Sequence, residues 1–225
     1  ENIPVVEIEA ADGTVGFAVT TGGEPACYLV EKHFARFLEG RDPADYETIW
    51  EQMYLASQFY GRKGLVVNAI SGVDLALWDL LGRKHGVPVY QLLGYAKAYP
   101  KLPYASQLFG DTPAETMAGC RAARSRGFRA VKCGWGPFGR GSLKDDRDHL
   151  QAAREGLGPD GKLLIDAGQI FRENVDAAAA RIALLEEVDA GWFEEPFLGG
   201  AYAAYGALSQ RRGKVKVAGG EASHN

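Results

Sequence analysis

Three acidic residues stand at nearly equal intervals in the second half of the chain, each directly after an apolar run. Asp166 ends LLID, Glu194 follows GWF and Glu221 follows VAGG, with intervals of 28 and 27 residues. A strand, a helix and their loops take roughly 30 residues in a βαβ unit. The spacing therefore predicts successive parallel strands that each lead into a carboxylate.

These strand ends would bring the three carboxylates within reach of one cation. Neighbouring strands lie about 4.8 Å apart, and Mg²⁺ prefers oxygen ligands in octahedral geometry. A single acid at a strand end has a simpler explanation, because loops are generally polar. Three in register, each after apolar residues, favour a site in which Asp166, Glu194 and Glu221 bind Mg²⁺.

The composition is that of a globular protein with small-molecule partners. Of 225 residues, 46% are hydrophobic and 24% are charged, which is enough to bury a large core. The net charge is −4 and both signs are mixed along the chain, which argues against nucleic-acid binding and against a membrane surface. No apolar run reaches the roughly 20 residues of a membrane-crossing helix. We expect a cytoplasmic protein.

Cysteine usage and the chain ends carry further expectations. Cys27, Cys120 and Cys133 are odd in number and lack CxxC spacing, so we expect buried thiols rather than disulfides or a zinc site. The chain opens without Met in an apparent strand, and it ends four residues after Glu221. We therefore expect a chain that lacks its native start and the later part of its second domain.

The first hundred residues predict an α+β module. Alternating residues around Asp12-Gly13, over 4–21, predict a β-hairpin. Helical periodicity is found over 25–37, 43–58 and 66–81.

Strands then alternate with helices, which predicts a parallel sheet. The predicted strands are 102–107, 128–133, 162–166, 190–194 and 215–220. The predicted helices are 112–126, which opens with a Thr112–Glu115 capping box, 145–156, 174–188 and 201–210. Five strands are three fewer than a closed (β/α)₈ barrel needs. The predicted fold class is α/β, an incomplete (β/α)₈-type barrel that follows an α+β domain.

Several segments resemble one known family. The segment AISGVDLALWDLLGRKHGVPVYQLLG, at 69–94, is similar to the signature helix of the mandelate racemase and muconate lactonising branch of the enolase superfamily. LLIDAG, WFEEP and VAGGE resemble the three metal-ligand strands of that branch. TTGGEPACYLVEKH, at 20–33, and FYGRKGLVVNAISGVDLALWDLLG further resemble sugar-acid dehydratases of the rhamnonate dehydratase type. The likeness covers nearly the whole chain.

The resemblance implies an α+β capping domain, residues 1–98, over a barrel domain, residues 99–225, usually within a homo-oligomer. It also implies that Mg²⁺ binds a carboxylate substrate, and that a nearby Lys helps to stabilise the enediolate formed when a base removes the α-proton. A dication at the developing negative charge is worth several kcal/mol. Glu194 matches the family's ligand better than Glu195, which would instead support the ligands.

One position departs from the family's racemase-like members, whose second barrel strand carries Lys-x-Lys. Lys132 matches the first lysine, but Gly134 occupies the second position, so two-base racemisation is put in doubt. Lys132 is a candidate catalytic residue, although it could also be a surface lysine at a strand end.

A histidine is the other residue type that could act as the base. His149 is expected on the solvent face of a helix, and His33 and His85 are expected in the first domain. His224 is the candidate at the active-site rim, and a His–Asp pair beyond residue 225 is a further hypothesis for the base.

Retention of Lys132 and the three acids, without the second lysine, favours a carbon–oxygen lyase. It would dehydrate a sugar acid, an aldonate or aldarate, to a 2-keto-3-deoxy acid. Arg62 and Lys63 are candidates to bind the distal end of the substrate, and Trp135 is a candidate to line its pocket. Arg62 and Lys63 could equally be two exposed basic residues beside a Gly turn without a binding role. The alternatives are a racemase, epimerase or cycloisomerase of the same superfamily, and an incomplete fragment without catalysis.

Overall fold

The chain folds into two compact units in a computed structural model that describes residues 2–222. The first unit ends at Tyr99 and the second begins at Pro100. The predicted fold class is confirmed, since an α+β unit precedes a parallel sheet with intervening helices.

The first unit packs helices on a two-stranded antiparallel hairpin. Its strands are β1 (Val5–Glu9) and β2 (Val15–Val19), and its α-helices are α1 (Gly23–Leu29), α2 (Tyr46–Ser57), α3 (Leu65–His85) and α4 (Val89–Leu92). A π-helical turn, Val30–Phe34, and a 3₁₀ turn, Ala35–Phe37, extend α1, and a second 3₁₀ turn, Pro43–Asp45, precedes α2.

Helix α3 is the centre of this unit. A Cβ at Gly16 of β2 would lie 2.3 Å from the backbone oxygen of Ala76, so only glycine lets the hairpin approach the helix this closely. By length and composition α3 could cross a bilayer. Its buried residues, which include Ile70 and Leu77, instead form the core of the unit with Phe34 and other apolar side chains. The apolar character of α3 therefore reflects its burial in protein.

The second unit is built on a five-stranded parallel sheet whose strands follow chain order. They are β3 (Ala105–Leu108), β4 (Ala130–Gly134), β5 (Lys162–Asp166), β6 (Ala190–Glu194) and β7 (Lys216–Ala218). The helices between them are α5 (Pro113–Ser125), α6 (Leu143–Leu157), α7 (Val175–Ala179), α8 (Ile182–Glu187) and α9 (Tyr202–Ser209). Because every neighbouring pair is parallel, the carboxyl ends of all five strands lie at one edge.

One predicted helix is divided in the structure. The prediction of a single helix over 174–188 is wrong, because α7 ends at Ala179 and α8 begins at Ile182. Arg181, between them, is buried and its Nε lies 2.9 Å from Asp146 Oδ2 on α6. A buried charge of this kind requires its partner, and the break places the guanidinium beside it.

The prediction for His149 is also wrong. The side chain is buried rather than solvent-facing, and its Nδ1 lies 2.9 Å from Thr116 Oγ1 on α5. Phe109 packs edge-on against the imidazole ring. Helix α6 therefore turns this polar residue toward α5, where a hydroxyl satisfies it.

The three cysteines are free thiols. Cys120 and Cys133 are buried, as expected, whereas Cys27 is half-buried.

Candidate metal centre

Two of the three predicted acids lie side by side at the carboxyl edge of the sheet. Asp166 ends β5 and Glu194 ends β6, and the two residues are paired in register. Glu194 is paired in turn with Ala218, the last residue of β7, and Glu221 follows in the next loop. The strand-end spacing in the sequence therefore corresponds to one edge of the sheet.

Lys132 binds between Asp166 and Glu194. Its Nζ lies 3.0 Å from Asp166 Oδ2 and 2.7 Å from Glu194 Oε1, and its side chain is only 12% exposed. Burial alone would lower the pKa of Lys132, but the hydrogen bonds to Glu194 and Asp166 outweigh it and raise the pKa above its usual value. The side chain is thus a largely buried, charged ammonium rather than a lysine on the open surface.

The donor set fits a hard divalent cation. Glu194 Oε2 is buried and finds no hydrogen-bond partner among residues 2–222, which is costly for a carboxylate oxygen. Asp166 Oδ1 accepts a hydrogen bond from Gly168 N at 2.9 Å, which orients that carboxylate. A cation at this edge would supply the partner that Oε2 lacks, and carboxylate oxygens are the ligands that Mg²⁺ prefers.

Glu221 lies close enough to Asp166, Glu194 and Lys132 for their charges to affect its pKa, although much of the residue is exposed. Partial burial raises the pKa of Glu221, and the negative charges of Asp166, Glu195 and Glu194 raise it further. Within residues 2–222, no three His, Cys, Asp or Glu side chains already converge as a ligand set. The structure thus brings Asp166 and Glu194 together around Lys132, with Glu221 nearby, and the three-ligand set stays a prediction.

Glu195 is turned into the protein. The residue is 1% exposed, and its carboxylate accepts hydrogen bonds from the backbone N–H groups of Gly220 and Glu221. The hydroxyl of Tyr205, on α9, lies 2.9 Å from its other oxygen. Burial raises the pKa of Tyr205, and the hydrogen bond to Glu195 adds to this effect, so the phenol stays a donor.

Sequence reasoning missed Tyr205. No motif marks it, and the helix around it, AYAAYGAL, carries no chemical signature. The available signal was indirect, since a tyrosine on the inner face of a helix needs a partner for its hydroxyl.

The remaining predicted site residues lie in three places. Trp135 adjoins Asp166: its backbone N–H donates to the backbone oxygen of Asp166 at 3.2 Å, and a Cβ on Gly168 would lie 2.8 Å from the indole ring of Trp135. Arg62 and Lys63 belong to the first unit, where both are exposed. His224 lies outside the described residues. The substrate-binding and catalytic roles of these four residues stay predictions.

Gly134 lies so close to Asp166 that a side chain at position 134 would clash with it. A Cβ at Gly134 would lie 2.8 Å from Asp166 Cβ and 3.0 Å from Asp166 O. We expect Gly134→Ala to lower the free energy of unfolding by about 1–3 kcal/mol, the usual cost of overpacking, in urea denaturation. Gly206→Ala is the control, because a Cβ there, on the exposed side of α9, would meet no atom of the described residues within 4 Å. Equal stability of the two variants would contradict the expected clash.

Comparison with known proteins agrees with this architecture. Residues 1–94 match the family described as "Mandelate racemase / muconate lactonizing enzyme, N-terminal domain", and residues 115–225 match "Enolase C-terminal domain-like". The chain is 43% identical over 210 residues to L-rhamnonate dehydratase of Saccharopolyspora erythraea, an alignment that covers 92% of this chain and 51% of the relative. The chain thus spans about half the length of the curated relatives that it matches.

Solved structures give the same result. A protein described as a predicted mandelate racemase from Rhodobacter sphaeroides superposes with a TM-score of 0.86 at 42% identity, over 97% of this chain and 58% of that one. Rhamnonate dehydratase from Gibberella zeae, complexed with Mg, superposes with a TM-score of 0.80 at 37% identity, over 96% of this chain and 51% of that one. The paired strand-end acids and the two family matches lead to one conclusion: the chain belongs to the mandelate racemase and muconate lactonising branch of the enolase superfamily.

Proposed function

We propose that the protein is a Mg²⁺-dependent hydro-lyase that dehydrates a sugar acid to a 2-keto-3-deoxy acid. The observation that carries this proposal is the largely buried Lys132 ammonium, which lies between the carboxylates of Asp166 and Glu194 at the carboxyl edge of the sheet. Barrel enzymes build their active sites at this edge. The similarity to L-rhamnonate dehydratase supports the reaction class.

Asp166, Glu194 and Glu221 are the residues that would hold the metal. When bound, Mg²⁺ supplies positive charge to the substrate carboxylate and lowers the energy of the enediolate. Lys132 adds a second, fixed positive charge beside it. Because Lys132 is largely buried, its interaction with a developing negative charge is stronger than it would be in water.

Dehydration needs one base at the α-carbon and loss of the β-hydroxyl. The α-proton passes to the base, the electron pair forms the α,β double bond, and the hydroxyl leaves as water after it accepts a proton. The enol product then tautomerises to the 2-keto-3-deoxy acid. A single acid–base residue can serve both proton transfers, so the absence of a lysine at position 134 does not oppose this reaction.

The base itself is part of the proposal. In the described part of the second unit, His149 is buried against Thr116 and is not available for it. We propose His224, or a His–Asp pair beyond residue 225. We also propose Arg62, Lys63 and Trp135 as substrate contacts. The domain division proposed is a capping domain over 1–98 and a barrel domain from 99. The protein is further proposed to be a homo-oligomer, and analytical ultracentrifugation would test its oligomeric state.

A substrate screen tests the reaction class. The intact protein with Mg²⁺ is incubated with a library of aldonates and aldarates, L-rhamnonate among them, and keto products are detected with semicarbazide. We expect keto product from at least one acid and its loss when EDTA removes the metal.

The same library in D₂O separates the alternatives. Exchange of the α-proton without keto product would instead favour a racemase, epimerase or cycloisomerase, since a predicted mandelate racemase and a cycloisomerase are both structural neighbours. Neither exchange nor keto product across the library would contradict both and favour a non-catalytic protein.

A further inference from the structure

The loop that carries Glu221 is fixed by residues outside it. The N–H groups of Gly220 and Glu221 both donate to Glu195 Oε1, the latter at 3.0 Å. One carboxylate oxygen therefore fixes two consecutive peptide groups, one of which belongs to a predicted metal ligand. A buried carboxylate that accepts backbone N–H groups in this way orients the chain that donates them.

Glu195 also joins the loops that follow the neighbouring strands. Its own N–H donates to Ala218 O, at the end of β7, at 2.9 Å, and its carbonyl accepts from Gln169 N, in the loop after Asp166. Its backbone has φ of 43°, a left-handed conformation that is unfavourable for a residue with a Cβ. The surrounding hydrogen bonds hold this conformation, so Glu195 links the loops after β5 and β7.

Tyr205 completes the surroundings of Glu195. Its hydroxyl lies 2.9 Å from Glu195 Oε2 and 2.9 Å from Phe197 O, and both oxygens are acceptors. Its ring lies beside the same loop, since a Cβ on Gly219 would lie 2.9 Å from Tyr205 Cε1. Tyr205 therefore contacts the loop with its ring and the carboxylate that fixes the loop with its hydroxyl.

We propose that Tyr205 is a positioning residue, which acts through Glu195 to hold the loop 219–221 so that Glu221 stays at the edge occupied by Asp166 and Glu194. Tyr205 touches neither metal nor substrate in this role. The inference rests on the proposed function, because it assigns Glu221 to the metal.

Metal affinity is the quantity that tests it. Mg²⁺ is titrated into the intact protein without substrate by isothermal calorimetry, and the thermal midpoint is measured in EDTA. Loss of a partner that orients a metal ligand typically weakens binding about 10- to 100-fold. We expect a change of this size in Kd for Tyr205→Phe. The control is Tyr202→Phe on the same helix, whose side chain is exposed.

A second variant separates position from charge. Glu195→Asp keeps the negative charge and suits the left-handed backbone, but its shorter side chain withdraws the carboxylate from the two N–H groups. We expect Glu195→Asp to weaken Mg²⁺ binding about as much as Tyr205→Phe does. If Tyr205→Phe fails to fold, the Kd of Glu195→Asp tests the positioning role in its place. Kd values equal to that of Tyr202→Phe would overturn the positioning role alone. If the wild-type protein binds no Mg²⁺, the proposed function is overturned, and the inference with it.

Discussion

Lys132→Met will lower the free energy of unfolding by about 3–5 kcal/mol in EDTA, the cost of leaving buried charges without their partner. In the structure, the ammonium separates the carboxylates of Asp166 and Glu194, and both of these side chains are largely buried. Met has a similar length and no charge, so the change removes the cation while it conserves packing. Urea denaturation measures the effect.

Addition of Mg²⁺ to this variant sharpens the test. If the two carboxylates bind the ion, the metal replaces part of the lost positive charge, and the stability of Lys132→Met rises more than that of the wild type. Dehydration should nevertheless fall by about 10²–10³-fold in kcat, comparable to the loss of one group that stabilises a developing anion.

The control for Lys132 is another lysine in an ion pair. Lys144→Met removes the exposed pair with Asp148 on α6, where water already screens both charges, and stability and activity should not change measurably. A Lys132→Met protein that behaves like this control would contradict the role assigned to Lys132.

Asp166→Asn will abolish metal-dependent activity without a comparable loss of stability. Substitution of a direct ligand should weaken Mg²⁺ binding by more than the roughly 10–100-fold expected for an outer partner, as measured by calorimetry. Asn conserves the shape, and its oxygen can still accept from Gly168 N. The Asn amide then faces Lys132 where Oδ2 had accepted its hydrogen bond, but Lys132 keeps Glu194 as its partner, so the apo protein should lose less stability in urea than Lys132→Met does.

Asp160→Asn provides the control at the opposite edge of the sheet. Asp160 is exposed and precedes β5, whereas Asp166 ends it. Its replacement should leave the Kd for Mg²⁺ unchanged. If Asp166→Asn binds Mg²⁺ as tightly as Asp160→Asn does, Asp166 is not a ligand.

Local and periodic features of this fold could be read from the sequence. The alternation of strands and helices predicted the parallel sheet, and the even spacing of the acids placed Asp166 and Glu194 at one edge, because chain order equals strand order here. The Thr112–Glu115 capping box is present as predicted, since it depends on residues within one turn.

The features that sequence reasoning missed depend on partners distant in the chain. Arg181, at the break between α7 and α8, pairs with Asp146, which is 35 residues away on another helix. His149 is buried against Thr116, which is 33 residues away and supplies its hydrogen-bond partner. The link from Tyr205 through Glu195 to Glu221 likewise exists only once α9 has packed beside β7. Residue type gives no indication of such partners before the tertiary structure is known.

The close contact at Gly134 also bears on how such a site can change during evolution. A lysine at this position would require β4 and β5 to move apart, because its Cβ alone would overlap Asp166. Any side chain added at position 134 must therefore be accompanied by a shift of Asp166 or of the strand that carries it. Residue 134 and the candidate metal ligand Asp166 can thus change only together: a larger residue at one position displaces the carboxylate at the other.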